Sequence, residues 1–223
     1  MRYGPAETDF VLATTRVGAP QRVPEVRLHL AEDAFALWRL VGLERGLDDA
    51  PPPFWAFAWA GGQALARHVL DRPGLVRGRN VLDLASGSGL VAIAAARAGA
   101  ASVTASDVDP FALAAIALNS RLNGVEVARA PGDLLDGEAS IAAAVGAQVV
   151  LAGDVFYERS LAERMLPFLE RVRAGGADVL IGDPSRDFLP RGRLEALATY
   201  EVPVTQDLEG TTSKRSTVWM LCA

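Results

Sequence analysis

From residue 80 to residue 181, short apolar segments typical of buried strands alternate with longer segments typical of helices. This alternation predicts a parallel sheet with helices on both faces, because each helix carries the chain back to begin the next strand in the same direction. The predicted strands are Val81–Leu84, Ser102–Ser106, Val125–Arg129, Gln148–Ala152 and Asp178–Ile181. The helices predicted between them are Leu90–Ala98, Pro110–Leu122, Glu138–Val145 and Leu161–Arg173.

Two further strand-like segments follow, near Tyr200–Thr205 and Ser216–Leu221, with Gly210 between them. Their connection is short and has no helical pattern, so we expect an antiparallel hairpin added to the sheet. The prediction is an α/β fold with a doubly wound, seven-stranded sheet that is mostly parallel and ends in an antiparallel C-terminal hairpin.

Three consecutive prolines, Pro51-Pro52-Pro53, separate a 50-residue leader from the rest of the chain. Within the leader, Val26–Leu30 alternates like a short strand and Ala34–Val41 has helical spacing. A segment of about 50 residues rarely buries a core of its own, so the leader is expected to pack on the remainder. The 223 residues are then one domain, 1–223, with a leader at 1–50 and a cofactor-binding core at 51–223.

Composition and charge exclude several classes of protein. Half of the residues are hydrophobic and 22% are charged, unlike a disordered polyelectrolyte. No apolar run reaches the ~20 residues of a membrane span, and a net charge of −5 argues against broad nucleic-acid binding. The single cysteine, Cys222, excludes an internal disulfide, and Glu7 and Asp9 are atypical of a transit peptide, so a cytoplasmic location is expected. With one cysteine and the isolated His29 and His68, no metal site is expected.

The segment Val81–Gly89 runs from a predicted strand into a predicted helix through a turn that contains Ser86, Gly87 and Gly89. Glycines in such a turn let the backbone approach a ligand closely, and the helix N-terminus favours anionic groups. The sequence G-S-G-L-V-A at 87–92 satisfies the relaxed dinucleotide-binding pattern, and Asp107 follows Gly87 by 20 residues. A nicotinamide or flavin enzyme is therefore one interpretation.

Asp83 favours a different ligand. A carboxylate inside a strand is unfavourable unless it meets a partner. The α-amino group of S-adenosylmethionine (SAM) is a cation that such a carboxylate can hold, directly or through water, whereas a dinucleotide pyrophosphate would be repelled. In the structural alternative, Asp83 accepts backbone N–H bonds within the turn.

Acidic residues after the next two predicted strands fit the rest of an adenosine cofactor. Asp107 can accept both ribose hydroxyls, because Asp109, which precedes Pro110, is the better helix N-cap. Asp133 can accept from the adenine amino group while Leu134 packs on the ring, although an ordinary turn also explains this pair.

These residues together resemble the seven-β-strand, class I SAM-dependent methyltransferases, which have a Rossmann-like fold. A second motif narrows the resemblance: residues 52–65 read P-P-F-W-A-F-A-W-A-G-G-Q-A-L. This segment is similar to the P-Y-W-x-x-x-W-P-G-G-Q-A-L segment of the electron transfer flavoprotein β-subunit lysine methyltransferases, within methyltransferase family 16. Other segments similar to that family are Pro24–Leu28, Gly153–Tyr157, Leu180–Arg186 and Ser216–Trp219.

Two positions depart from the family pattern. Ala60 stands where the family has proline, and Ala85 stands where it has the first glycine of the loop. Alanine at position 85 is tolerable if its φ is negative, but it narrows the conformations open to the turn.

The resemblance implies roles for residues outside the glycine loop. Asp154 and Tyr157 would form the family's Asp-x-x-Tyr step, in which Asp154 orients the target amine and Tyr157 stacks on the lysine side chain. Their structural alternatives are a helix N-cap and core packing. Trp59 and Gly61-Gly62 would border the cofactor, and Trp55 would lie nearer the substrate mouth. Because aromatic residues alternate with alanines at 55–59, a half-buried strand or extended edge is expected there.

The predicted site has three parts. The predicted catalytic residues are Asp154 and Tyr157. The predicted cofactor-binding residues are Trp59, Gly61, Asp83, Ser86, Gly87, Gly89, Asp107, Val108, Asp133 and Leu134. The predicted substrate-binding residues are Trp55, Phe156 and Arg186, of which Arg186 is either a contact to an acidic partner surface or a solvated loop arginine.

The predicted function is that of a SAM-dependent protein-lysine N-methyltransferase. Its expected product is S-adenosylhomocysteine, its expected protein partner is the β subunit of electron transfer flavoprotein, and a monomer is expected. Three alternatives stay open: a small-molecule N-methyltransferase similar to nicotinamide N-methyltransferase, an NAD(P)-dependent oxidoreductase, and a cofactor-binding module without turnover. A broad groove would favour a protein acceptor, and a closed aromatic pocket would favour a small molecule.

Overall fold

The computed structural model describes residues 5–47, 51–135, 146–206 and 210–222. Its centre is a seven-stranded sheet with strand order β5-β4-β3-β6-β7-β9-β8. The strands β3 to β7 are parallel, and β9 pairs antiparallel with both β7 and β8. The predicted seven-stranded topology with its antiparallel hairpin is therefore confirmed. The strands are β3 (Asn80–Leu84), β4 (Ser102–Asp107), β5 (Ala128–Pro131), β6 (Val149–Gly153), β7 (Asp178–Asp183), β8 (Leu194–Pro203) and β9 (Ser213–Leu221).

Helices cover both faces of this sheet, and each face has its own cluster of buried apolar side chains. The helices that follow the leader are α3 (Ala60–Asp71), α4 (Leu90–Arg97), α5 (Pro110–Leu122) and α6 (Arg159–Ala174). The predicted helix Glu138–Val145 lies outside the described residues. Among the helices that are described, none is both long enough and apolar enough to cross a membrane.

The leader contains a helix α1 (Pro5–Thr14), a two-stranded ribbon of β1 (Arg16–Gly18) and β2 (Leu28–Leu30), and a helix α2 (Ala34–Arg45). It packs on α5: the rings of Phe10 and Phe111 lie 4.8 Å apart, and the backbone N–H of His29 donates to Asn119 Oδ1 at 2.8 Å. The predicted strand and helix of the leader are both present. The single domain at 1–223 stays a prediction.

The third strand of the core begins later than predicted. After α5 the backbone N–H groups of Asn123, Gly124 and Val125 all donate back to carbonyls of the last helical turn, and Gly124 has a φ of +65°. These N–H groups terminate the helix, so they are not available to a sheet ladder. β5 therefore starts at Ala128 rather than at the predicted Val125.

The aromatic segment at 54–59 forms no strand, so the prediction of a half-buried strand is wrong; only its second half, at Phe57 and Trp59, has extended backbone. Phe54–Ala56 form a 3₁₀ turn in which the N–H of Ala56 donates to Pro53 O at 3.0 Å, and α3 begins at Ala60. The preceding prolines fix a φ that suits such a turn. Trp55, Ala56 and Phe57 are all buried against α5 and the leader, so the alternation of aromatic and alanine residues does not mark the two faces of a strand.

Candidate active site

A cavity of about 650 Å³ lies at the carboxyl ends of the central strands. The chain runs outward from β3 to β5 and then returns to β6 on the other side of β3, so β3 and β6 flank the switch point of the sheet. Open α/β sheets bind ligands at this point. Five aspartates from the ends of β3, β4, β5 and β6, or just beyond them, line the cavity: Asp83, Asp107, Asp109, Asp133 and Asp154.

Asp83 is buried inside β3, with 1% of its surface exposed. Its Oδ2 accepts hydrogen bonds from the Ser86 hydroxyl and from the Ala92 backbone N–H, the latter at 3.0 Å. Burial raises the pKa of Asp83 to about 7, against the opposing effect of these two hydrogen bonds. A cation beside Asp83 would favour the ionised carboxylate.

The glycine loop takes left-handed backbone conformations at three positions. Gly87 has a φ of +54°, Gly89 of +81° and Ala85 of +52°. The condition under which alanine fits this position without strain, a negative φ, is therefore not met: the turn imposes the glycine conformation on Ala85. A Cβ on Gly89 would lie 3.2 Å from Ile116 Cγ1, so Gly89 lets α4 approach α5.

Asp107 holds the glycine loop against the end of β4. Its Oδ2 accepts the Gly87 N–H at 2.8 Å and its Oδ1 accepts the Asp109 N–H at 3.0 Å. Burial raises the pKa of Asp107. Asp109 caps α5 by accepting the Phe111 N–H at 2.9 Å and forms an ion pair with Arg45. The predicted capping role of Asp109 is confirmed.

Asp133 and two apolar side chains line the far end of the cavity. Asp133 Oδ1 accepts the N–H of Leu135 at 2.9 Å, and Oδ2 lies 2.6 Å from an Arg164 nitrogen. Leu134 and the 66%-exposed Val108 also line this end. This end of the cavity therefore combines an acidic acceptor with apolar surface.

The aromatic segment and the first turn of α3 close the cavity near the glycine loop. Trp59 lines the cavity and donates from Nε1 to Phe54 O at 2.9 Å. Trp55 also lines the cavity but is only 1% exposed, so the structure does not place it at a mouth. Gly62 lines the cavity, whereas Gly61 packs on Gly182 of β7.

Asp154 follows β6 with a φ of +58° and is 9% exposed. Its Oδ2 accepts the Gly62 N–H at 2.6 Å, at the positive end of the α3 dipole. Its Oδ1 accepts from Arg186 Nη1 at 2.7 Å. Burial raises the pKa of Asp154 to about 6, although Arg186 opposes this rise. The carboxylate is thus held from two sides beside the cavity.

Phe156 and Tyr157, the other two predicted site residues of the Asp-x-x-Tyr step, have opposite environments. Tyr157 is 42% exposed, lines the cavity, and its ring lies 5.2 Å from that of Phe54, which is 37% exposed. Phe156 is fully buried in the apolar cluster that also contains Phe168 of α6. The prediction that Phe156 contacts substrate is therefore wrong, because its side chain lies in the core.

Similarity to known proteins extends over nearly the whole chain. A family model described as ribosomal protein L11 methyltransferase (PrmA) matches residues 64–154. The electron transfer flavoprotein β-subunit lysine methyltransferase of Rattus norvegicus is 39% identical over 204 residues, covering 88% of this chain and 76% of that protein. The protein of the same name from Xenopus laevis is 38% identical over 216 residues, covering 94% of this chain and 85% of that protein.

The chain belongs to the electron transfer flavoprotein β-subunit lysine methyltransferase family. This membership confirms the family resemblance and the prediction of a SAM-dependent methyltransferase. The oxidoreductase interpretation of the glycine loop is set aside.

Solved structures confirm the Rossmann-like fold at lower sequence identity. The precorrin-6y C5,15-methyltransferase of Geobacter metallireducens has a TM-score of 0.52 at 16% identity, covering 72% of this chain and 89% of that chain. The tRNA (uracil-54, C5)-methyltransferase of Pyrococcus abyssi, solved with S-adenosyl-L-homocysteine, has a TM-score of 0.50 at 16% identity, covering 73% of this chain and 40% of that chain.

Two features of this family member were missed by the sequence analysis. Phe54, rather than Trp55, is the exposed aromatic residue beside Tyr157. The hydrogen bond from the Gly62 N–H to Asp154 was not predicted either. Both features follow from the 3₁₀ turn at 54–56 and from the start of α3 at Ala60, which replace the expected strand.

Proposed function

We propose that this enzyme transfers methyl groups from SAM to lysine side chains of the electron transfer flavoprotein β subunit. The observation that carries this proposal is the 38% identity to a named family member over 94% of the chain, far beyond the part that would bind the cofactor alone. The roles of the predicted site residues are also proposals, and the hydrogen bonds, burial and position of these residues support most of them.

The cavity fits SAM by the chemistry of its acceptors. Asp83, whose carboxylate is buried and has a raised pKa, would hold the cationic amino group. Asp107 would accept the ribose hydroxyls with the lone pairs not used by Gly87 and Asp109. Asp133 would accept the adenine amino group. When bound, SAM supplies a methyl group on a sulfonium centre, which an uncharged nucleophile can attack.

The remaining cofactor residues supply shape rather than charge. Leu134 and Val108 would pack on the adenine ring, and Ser86 would hold Asp83 in place. Gly87 and Gly89 would let the backbone approach the ligand, and Trp59 would cover it. Gly61 would act through the packing of α3, because its neighbour Gly62 is the one that lines the cavity. Such positioning and exclusion of water are what methyl transfer requires from the protein.

Asp154 and Tyr157 would receive the target lysine. A lysine side chain has an ordinary pKa of ~10.4, so it must lose a proton before it can react. Asp154 would accept an N–H of the neutral amine and orient its lone pair. Tyr157 and Phe54 would pack along the aliphatic part of the side chain.

The exposed surface near the cavity favours a protein acceptor over a small molecule. Phe54 and Tyr157 remain 37% and 42% exposed, so the aromatic residues border an open mouth. Helix α2, whose Arg45 lines the cavity, also exposes Phe35 and Leu43 at 65% and 78%. Exposed apolar side chains on a helix that borders the cavity favour contact with a protein, and a small-molecule enzyme has no need of them.

The test is mass spectrometry of purified β subunit after incubation with the enzyme and SAM. Mass increases in steps of one methyl group on lysine, absent with the Asp154→Asn variant, are expected. An unmodified β subunit, together with methylation of another protein in a lysate, would refute the proposed partner. Methylation of nicotinamide-like amines alone would favour the small-molecule alternative. A cytoplasmic location and a monomeric state stay predictions.

A further inference from the structure

The loop after β7 places Arg186 directly on Asp154. Nη1 of Arg186 lies 2.7 Å from Oδ1 and 3.4 Å from the backbone carbonyl oxygen of Asp154. Both residues line the cavity, with 20% and 9% of their side chains exposed. The carboxylate that would meet the acceptor is therefore already paired with a cation before any lysine arrives.

Asp183 builds the loop that makes this contact. It is fully buried at the end of β7, and its Oδ1 accepts the Arg186 backbone N–H at 2.7 Å. Between them, Ser185 has a φ of +70°. Asp183 Oδ2 is buried without a hydrogen-bond partner. Burying a carboxylate with one oxygen unpaired is energetically unfavourable. The turn that Asp183 stabilises nevertheless brings the Arg186 side chain to Asp154.

A lone carboxylate at position 154 would oppose the reaction. It would stabilise the target lysine as an ammonium ion and raise the pKa of that lysine, whereas methyl transfer needs the neutral amine. Arg186 removes this obstacle because the pair carries no net charge. The ionised carboxylate keeps lone pairs that can accept an N–H of the amine.

We propose that Arg186 is a positioning residue that keeps Asp154 ionised and charge-compensated, so that the site accepts the target lysine as a neutral amine. This role differs from the contact to an acidic partner that the sequence suggested for Arg186. The inference rests on the proposed lysine methyltransferase function.

The charged groups around Asp154 act on its pKa in opposite directions, which makes the proposal testable. Arg186 lowers the pKa of Asp154 and Asp183 raises it. The backbone N–H groups of Gly61 and Gly62, at the start of α3, also lower the pKa of Asp154. Burial raises the pKa of the neighbouring Tyr157, and the charge of Arg186 opposes that rise. Removal of the two charged neighbours should therefore shift the pKa of Asp154 in opposite directions.

The first measurement is the pH profile of methylation by the whole enzyme. Arg186→Gln should move the acid limb of kcat up by about 1 pH unit, and Asp183→Asn should move it down. Because the pKa of Asp154 is about 6 with Arg186 in place, this shift should lower kcat about twofold at pH 7 and about fivefold to tenfold at pH 6, with a smaller change in KM, and Arg186→Lys should restore part of the loss. Arg193→Gln is the matched control, because Arg193 pairs with Glu170 away from the cavity.

The second measurement needs no acceptor. The Asp154 carboxyl carbon, assigned with the Asp154→Asn variant, is titrated by ¹³C NMR in the wild-type enzyme and in both variants. Opposite shifts support the proposal, and equal or parallel shifts overturn it. Binding of S-adenosylhomocysteine by calorimetry checks that each variant is folded, and Arg186→Met, which also removes the charge, replaces Arg186→Gln if the latter is not. A wild-type enzyme that leaves the β subunit unmodified would refute the proposed function, and the NMR result would still decide the pairing.

Discussion

A Cβ atom on Gly61 would lie 2.3 Å from the carbonyl oxygen of Gly182, and one on Gly182 would lie 2.2 Å from the carbonyl oxygen of Gly61. The first turn of α3 thus rests on β7 with no side chain between them. The same turn donates the Gly62 N–H to Asp154. The close contact therefore determines where the carboxylate is held.

Gly182→Ala should separate α3 from β7 and weaken the Gly62 contact to Asp154. Because overpacking of this kind costs about 1–3 kcal/mol, we expect a lower free energy of unfolding in urea together with reduced turnover. Gly192→Ala is the control, since a Cβ there meets nothing within 4 Å. Equal stability of the two variants would contradict the packing argument.

Ala85→Gly should stabilise the protein. The left-handed conformation costs an alanine about 1–2 kcal/mol, which exceeds the ~0.4–1 kcal/mol that glycine adds to the entropy of the unfolded chain. The net gain should raise Tm by about 2 °C in calorimetry. Ala19→Gly, in an exposed loop with a negative φ, should lower Tm. A decrease in Tm for Ala85→Gly would contradict the claim that Ala85 is strained in the folded protein.

The sequence predicted the features that depend on local pattern. Apolar runs such as Val149–Gly153 and the capping pair Asp109-Pro110 carry their signal within a few neighbouring residues, so β6 and the start of α5 were placed closely. The prediction for 54–59 failed because aromatic residues alternate with alanines in the sequence, whereas the consecutive residues Trp55, Ala56 and Phe57 are all buried.

The contacts that are distant in sequence had no such signal. Arg186 reaches Asp154 across 32 positions through a turn with a left-handed Ser185, and neither the partner nor the conformation can be read from residue spacing. Phe156 and Tyr157 are adjacent in the motif, yet one lies in the core and the other beside the cavity. Only the direction of the chain after β6 distinguishes them.

Substitution of Asp107 should affect cofactor binding, whereas substitution of Asp109 should affect the capping of α5. Asp107→Asn should weaken binding of S-adenosylhomocysteine about tenfold or more, because the amide is a poorer acceptor for two hydroxyls. Asp109→Ala removes the α5 cap and should cost ~1 kcal/mol of stability with little change in affinity. Calorimetric titration and urea unfolding of both variants provide the comparison. The reverse pattern would exchange the two roles.

Phe54 should matter for a protein acceptor more than for the cofactor. Phe54→Ala removes the ring that lies 5.2 Å from Tyr157, and loss of such an aromatic contact is worth about 0.5–1.5 kcal/mol. We expect KM for the β subunit to rise about threefold to tenfold while the Kd of S-adenosylhomocysteine is unchanged. Phe54→Tyr keeps the ring and should behave like the wild type. A large change in cofactor affinity would place Phe54 on the cofactor instead.

Asp83 should couple cofactor binding to proton release. Burial raises its pKa from 3.8 to about 7, so the folded protein retains a proton that the unfolded chain releases, and this group's contribution to stability falls as pH rises from about 4 to 7. A cationic amino group favours the ionised carboxylate, so S-adenosylhomocysteine should bind about tenfold more tightly at pH 7.5 than at pH 6.

Calorimetry in buffers of different ionisation enthalpy measures the protons that leave on binding. In the wild type, proton release at pH 6.5 is expected, since Asp83 is then mostly protonated in the free enzyme and ionised beside the amino group. Asp83→Asn should bind more weakly and release fewer protons, and Asp71→Asn, at an exposed pair with Arg67, should match the wild type. Identical proton release in wild type and Asp83→Asn would mean that the amino group is bound elsewhere.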